Sequence, residues 1–104
     1  MKNSLEKVAK LLMYEGPRIT DLIAKAVNEK KHFYISKTDG MELLTIEFTT
    51  AYNTSVQDKY FFNSDKELIK QLLIINTTEK IIFDKYADAK SLLQSIDFEV
   101  AYVS

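Results

Sequence analysis

The sequence has no cysteine, and its 104 residues include one histidine and one arginine. These scarcities exclude a disulfide framework, a thiol nucleophile and a metal site built from several His or Cys ligands. They also leave no set of guanidinium groups for bidentate recognition of phosphate. We therefore expect a protein that is not an enzyme and that uses no cofactor and no metal ion.

Glycine is nearly as scarce, because Gly16 and Gly40 are the only two. Two isolated glycines cannot form a dinucleotide-binding loop or a P-loop, so nucleotide binding of those types is excluded.

Long apolar runs are missing as well: the longest aliphatic run, Leu72–Ile75, falls far short of the roughly 20 residues of a membrane span. No apolar signal core follows the first residues. The expected location is the cytoplasm.

Charge of one sign is also lacking, since 14 basic and 15 acidic residues give a net charge of −1. Such a balance provides no long-range attraction to nucleic acid or anionic lipid. What the chain does have is 46% hydrophobic residues, with six tyrosines and six phenylalanines, which suffice for one core. We interpret residues 1–104 as a single domain. The abundance of lysine, isoleucine and asparagine is typical of an AT-rich bacterial or phage genome.

Helical spacing of apolar residues predicts two helices in the first third of the chain, over residues 4–14 and 17–31. Gly16 is suited to the left-handed residue that ends the first helix. Pro17 is suited to the first position of the second helix, where its missing N–H costs nothing. The two segments are predicted to form an αα-hairpin.

The spacing then changes to strict alternation, which predicts strands over residues 33–36 and 44–49. Asp39-Gly40 lies between them and tolerates the positive φ of a tight hairpin turn. A third strand is predicted over residues 56–62, where three aromatic residues end the segment.

Beyond residue 63 the pattern favours helices again. Ser64 and Glu67 form a capping box ahead of an apolar stripe, which predicts a third helix. Leu72–Asn76 either continues that helix or begins a strand, and residues 80–83 alternate as a strand. A short fourth helix is predicted over residues 89–96 and a last strand over 98–102. The predicted fold is α+β: the αα-hairpin and two further helices pack on one face of a mainly antiparallel sheet of four to five strands.

Alternation also predicts which side chains lie on the sheet face away from the helices. If the apolar residues of the hairpin face the helices, Tyr34 and Glu47 face the other way, and Phe61 and Lys59 join them from the third strand. Aromatic rings with a polar rim are typical of protein-recognition surfaces. A second copy of the chain or a covering helix would account for the same pattern, so a homodimer stays an alternative.

The resulting functional hypothesis is a small protein-binding module of the inhibitor, immunity-protein or accessory-regulator type. Burial of the Tyr34 and Phe61 rings would supply the affinity, and Glu47 and Lys59 would set the orientation of the partner.

The alternative is a nucleic-acid-binding regulator that uses the helix at 17–31 and the hairpin at 33–48. The exposed side of that helix would present the contact residues Arg18, Lys25, Asn28 and Lys31. Asp21 and Glu29 interrupt this side. An RNA-recognition sheet would need a basic-Gly-aromatic run, which the sequence does not contain.

Overall fold

A computed structural model describes the backbone of residues 2–103 and the side chains of residues 5–94. The chain divides into two compact units, Glu15–Phe83 and the combination of Met1–Tyr14 with Asp84–Ser104. We call them the sheet unit and the helical unit. The sheet unit contains the helix α2 and a five-stranded sheet. The helical unit contains the helices α1 and α3.

The sheet is a meander in which each strand pairs with the next along the chain, in the order β1-β2-β3-β4-β5. The pairs β1–β2, β2–β3 and β3–β4 are antiparallel. β1 and β5 are therefore the two edge strands. The elements of the sheet unit are α2 (Ile19–Asn28), β1 (His32–Thr38), β2 (Met41–Thr49), β3 (Ser55–Phe62), β4 (Leu68–Ile75) and β5 (Thr78–Asp84).

The core of the sheet unit lies between α2 and one face of the sheet. Leu44 and Phe62 are almost completely buried there, and Ala26 of α2 packs against them. Ile46 and Leu68 complete this cluster. Because side chains alternate between faces, every second residue of β2 and β3 enters this core. We call this side of the sheet the core face and the opposite side the second face.

Two backbone features shape the two ends of β1. α2 ends in a Schellman motif: the Lys31 N–H donates to the Ala26 carbonyl at 2.9 Å, and the Lys30 N–H donates to the Val27 carbonyl at 3.1 Å. Lys30 has a φ of 58° at the left-handed position. The β1–β2 hairpin closes on Asp39 and Gly40, with φ values of 49° and 77°, as a type I′ turn requires.

The predicted third helix is wrong, because its residues form β4. The side chain of Asn63 organises a loop in place of a helix start: its Oδ1 accepts from the N–H groups of Asp65 and Glu67, both at 3.0 Å. The register then skips Ile69, which leaves it as a bulge between two ladder pairs. Because of this bulge, the apolar residues of β4 have a spacing in the sequence that resembles the spacing in an amphipathic helix.

The predicted fourth helix and last strand are also wrong as separate elements. Both belong to one helix, α3 (Lys85–Val103). The fold therefore has a helix pair near the N-terminus and one C-terminal helix, in place of the two further helices that the sequence predicts. The second helix also starts later than predicted. Arg18 is its N-cap, so Pro17 precedes the helix.

The helical unit consists of α1 (Lys2–Met13) packed against α3. Val8 and Ala89 are buried in this unit. Lys85 is also buried, and its Nζ donates a hydrogen bond to the Tyr14 carbonyl at 2.9 Å. Among the described residues, no helix has the length and apolar character needed to cross a membrane.

Candidate functional site

The strand register places the four predicted contact residues on the second face. Cross-strand partners share a face of the sheet. Tyr34 and Lys59 are both partners of Thr45, on opposite sides of it. Glu47 lies two residues along β2, and Phe61 two residues along β3. The four therefore share the second face, as alternation predicted, whereas their role in binding stays a prediction.

The Glu47 side chain accepts hydrogen bonds from both neighbouring strands on the second face. Its Oε1 accepts a hydrogen bond from the Gln57 amide at 2.8 Å and another from the Tyr34 hydroxyl at 3.2 Å. The carboxylate thus ties together β1, β2 and β3. The 2.8 Å bond from Gln57 has the length of a charge-assisted hydrogen bond, whereas the longer bond from Tyr34 links an exposed ring to the same carboxylate.

Exposure differs among the four residues. Tyr34 is 48% exposed, whereas Glu47, Lys59 and Phe61 are partly buried. Thr45, between Tyr34 and Lys59, is fully buried, and its hydroxyl has no hydrogen-bond partner among the described residues. The accessible part of the surface is therefore the side nearer β1, with Tyr34 as its most exposed ring.

A shallow groove of about 490 Å³ adjoins this surface where β1 begins. Its lining includes Glu47, Gln57 and the segment Glu29–His32. The groove brings acidic, basic and amide groups together, and its Glu47 carboxylate also accepts the hydrogen bond from Tyr34. Such a mixture of groups suits a polar peptide surface better than an apolar ligand.

The four residues of the nucleic-acid alternative do not form one basic surface. Arg18 borders a second groove of about 380 Å³, which Glu15, Asp65 and Glu67 also line. Asp21 interrupts the helix between Arg18 and Lys25, and Asn28 lies one turn beyond Lys25.

Lys31, the last of the four, has partners within the fold. Its Nζ lies 3.2 Å from the Glu29 carboxylate and 4.0 Å from the centre of the Phe48 ring. A lysine held in this way has less freedom to follow a phosphate backbone. The geometry gives the nucleic-acid alternative less support than the protein-binding hypothesis.

Asp58 is a polar residue of the core face that the sequence interpretation missed. It is the partner of Ile46 and lines a cavity of about 60 Å³ beneath α2. Burial raises the pKa of the Asp58 carboxyl, and the nearby charges of Lys31 and Lys25 act in the opposite direction. The sequence did contain a signal for this position, because Asp58 alternates with Val56 and Tyr60 and must share their face of the strand.

Tyr60 shares the cavity with Asp58, and its pKa is raised as well. Burial is the main cause, and the negative charges of Asp58 and Glu29 add to it. Its hydroxyl is therefore neutral across the physiological range.

The remaining titratable groups are dispersed. His32 is the first residue of β1 and the partner of Glu47 on the second face. Within the side chains that the structure describes, no group of three or more His, Cys, Asp and Glu residues is placed to hold a metal ion. No protein-family model, curated protein or solved structure matches this chain.

Proposed function

We propose that this chain is a non-enzymatic protein-binding module that uses the β1 side of the second face. The single observation that supports this most is the hydrogen bond between the Tyr34 hydroxyl and the Glu47 carboxylate. An exposed ring beside a carboxylate presents apolar area and a charged acceptor together, which is the combination found at protein-recognition surfaces.

The surrounding residues fit the same role. Gln57 holds the carboxylate from β3, and the groove beside it offers room for a partner side chain. Tyrosine at the centre of an interface is a frequent energetic hot spot, and polar groups around it form the rim. Lys59 and Phe61 extend the surface toward β3, where both are partly buried.

The test begins with capture of a partner from the native host on the immobilised full chain, followed by binding measurements with the purified partner. We expect Tyr34→Ala to weaken binding by about 2 kcal/mol, as is usual for a central ring. Phe61→Ala should weaken it as well. Chemical denaturation of both variants shows whether the fold stays cooperative.

Tyr52→Ala is the matched control, because Tyr52 is 91% exposed in the loop between β2 and β3. It removes the same side chain away from the proposed surface and should leave binding unchanged. The proposal fails if Tyr34→Ala and Phe61→Ala both bind normally, or if Tyr52→Ala weakens binding as much as they do.

A further inference from the structure

The outer edge of β1 is unpaired in the part of the chain that the structure describes. β1 is the terminal strand of the sheet, and its residues from His32 to Lys37 are all exposed. Phe33 and Ile35 on the core face are 39% and 50% exposed. An edge strand with exposed apolar residues is a template for pairing with another strand.

β1 also lacks most of the devices that prevent such pairing. It contains no proline, its register with β2 is continuous, and Lys37 is its only residue of the types Lys, Arg, Asp and Glu. The other edge strand, β5, carries three charged residues: Glu79, Lys80 and Asp84. β1 is thus the less protected of the two edges.

We propose that β1 pairs antiparallel with β1 of a second copy of this chain, with Ile35 opposite its own counterpart. Ile35 is the middle residue of His32–Thr38, so this register overlaps the whole strand. The twofold axis then passes between the two copies of Ile35. The two sheets join into one of ten strands, with equivalent faces on the same side.

The backbone supports this register. The two-residue turn makes Thr38–Met41 a hydrogen-bonded pair, and such pairs recur at every second residue of an antiparallel ladder. The N–H and C=O groups of Phe33, Ile35 and Lys37 consequently point away from β2. A self-pair centred on Ile35 sets these three residues opposite the same three residues of the second copy.

The side chains are compatible with the same register. Phe33 lies opposite Lys37 of the second copy, where the lysine can cover the ring. Just outside the strand, Lys31, whose Nζ also lies 3.2 Å from the Glu29 carboxylate, falls opposite Asp39, so like charges do not meet there. A register centred on Tyr34 would set Lys31 opposite Lys37 and use a shorter overlap, which disfavours it.

The first experiment measures the mass of the full chain by sedimentation equilibrium over a range of concentrations. A single strand edge buries less surface than a standard interface, so we expect a reversible dimer that forms at high concentration. Ile35→Lys places two like charges opposite each other and should raise the dimer dissociation constant by about tenfold or more. Ile81→Lys is the matched control on β5, where Ile81 is 59% exposed.

The second experiment tests the register and does not depend on the stability of the lysine variant. Because the chain contains no cysteine, a single introduced cysteine reports one position. Under mild oxidation, Ile35→Cys should form a covalent dimer, because its Cβ atoms meet across the axis. Tyr34→Cys should not link to itself but should link to Ser36→Cys when the two variants are mixed.

Several results would overturn the proposal. The proposal fails if the wild-type chain stays monomeric up to its solubility limit, whether or not it binds an extended peptide of another protein. It also fails if Ile81→Lys abolishes the dimer while Ile35→Lys preserves it. Self-linking of Tyr34→Cys in preference to Ile35→Cys would show that the proposed register is wrong. The proposal does not depend on the protein-binding function, since Ile35 lies on the core face and Tyr34 on the second face.

Discussion

Asp58 is partly buried on the sheet face that α2 covers, and burial raises the pKa of its carboxyl above the ordinary value of 3.8. The folded state therefore binds this proton more tightly than the unfolded state does. For such a group, the contribution to stability is fully present below pH 3.8 and is lost as the pH rises through the raised pKa. At neutral pH the charged carboxylate opposes folding.

We expect Asp58→Asn to raise the free energy of unfolding at pH 7, because the amide has no charge to desolvate. The gain should shrink as the pH is lowered toward 3.8, where Asp58 of the wild-type chain becomes protonated. Urea denaturation at a series of pH values measures both effects. Asp65→Asn, in an exposed loop, is the matched control. A loss of stability for Asp58→Asn at pH 7 would mean that the attraction to Lys31 and Lys25 outweighs desolvation.

At the same scale, the sequence identified residues whose position follows from alternation alone. Tyr34 and Glu47 needed only the period of two and a correct turn at Asp39-Gly40. It did not identify the burial of Thr45 or the polar contact of Gln57 with Glu47. Both depend on which residues of different strands become partners, and a single sequence contains no direct signal for that register.

The C-terminus of α2 contains a local conflict between residue type and backbone conformation. Lys30 occupies the left-handed position of the Schellman motif, where glycine has no steric penalty. We expect Lys30→Gly to raise the free energy of unfolding by about 0.5–1 kcal/mol, as measured by thermal and urea denaturation.

Lys30→Ala provides the control for that prediction. It removes the same charge but keeps the Cβ atom that makes a positive φ unfavourable. We expect no gain from the alanine variant. An equal gain from alanine and glycine would attribute the effect to the lost charge and not to the backbone.

The apolar residues of β4 explain why the sequence predicted a helix where the structure has a strand. Leu68 and Leu73 belong to the core face, Leu72 to the second face, and Ile69 is skipped by the register. A strand with apolar residues on both faces and one bulge reproduces the spacing of an amphipathic helix. The hairpin at β1–β2 had no such ambiguity, because its two faces differ in polarity and its turn residues are specific.

The two compact units differ in how they are built from the chain. The sheet unit is a continuous segment with its own buried cluster, whereas the helical unit combines two segments that are distant in sequence. The Glu15 carbonyl accepts a hydrogen bond from the Leu68 N–H at 2.9 Å, so the start of the sheet unit is tied to β4. The interpretation of residues 1–104 as one domain stays a prediction.

We expect a chain of residues 15–83 to unfold cooperatively, because it contains the complete buried cluster of the sheet unit. Circular dichroism during heating and the dispersion of amide NMR signals measure this. A chain of residues 15–62 lacks β4 and β5, and with them Leu68 and Phe83, and should be unfolded. Failure of the 15–83 chain to fold would show that the sheet unit requires the helical segments.

The meander leaves two different strands, β1 and β5, at the borders of the sheet. A head-to-tail contact, β1 of one molecule against β5 of the next, would repeat without limit and grow a filament. A contact of β1 with itself is closed by its symmetry and ends after two molecules. If the charges of β5 were replaced by apolar residues, we would expect the balance to move from the closed pair toward fibrous aggregates.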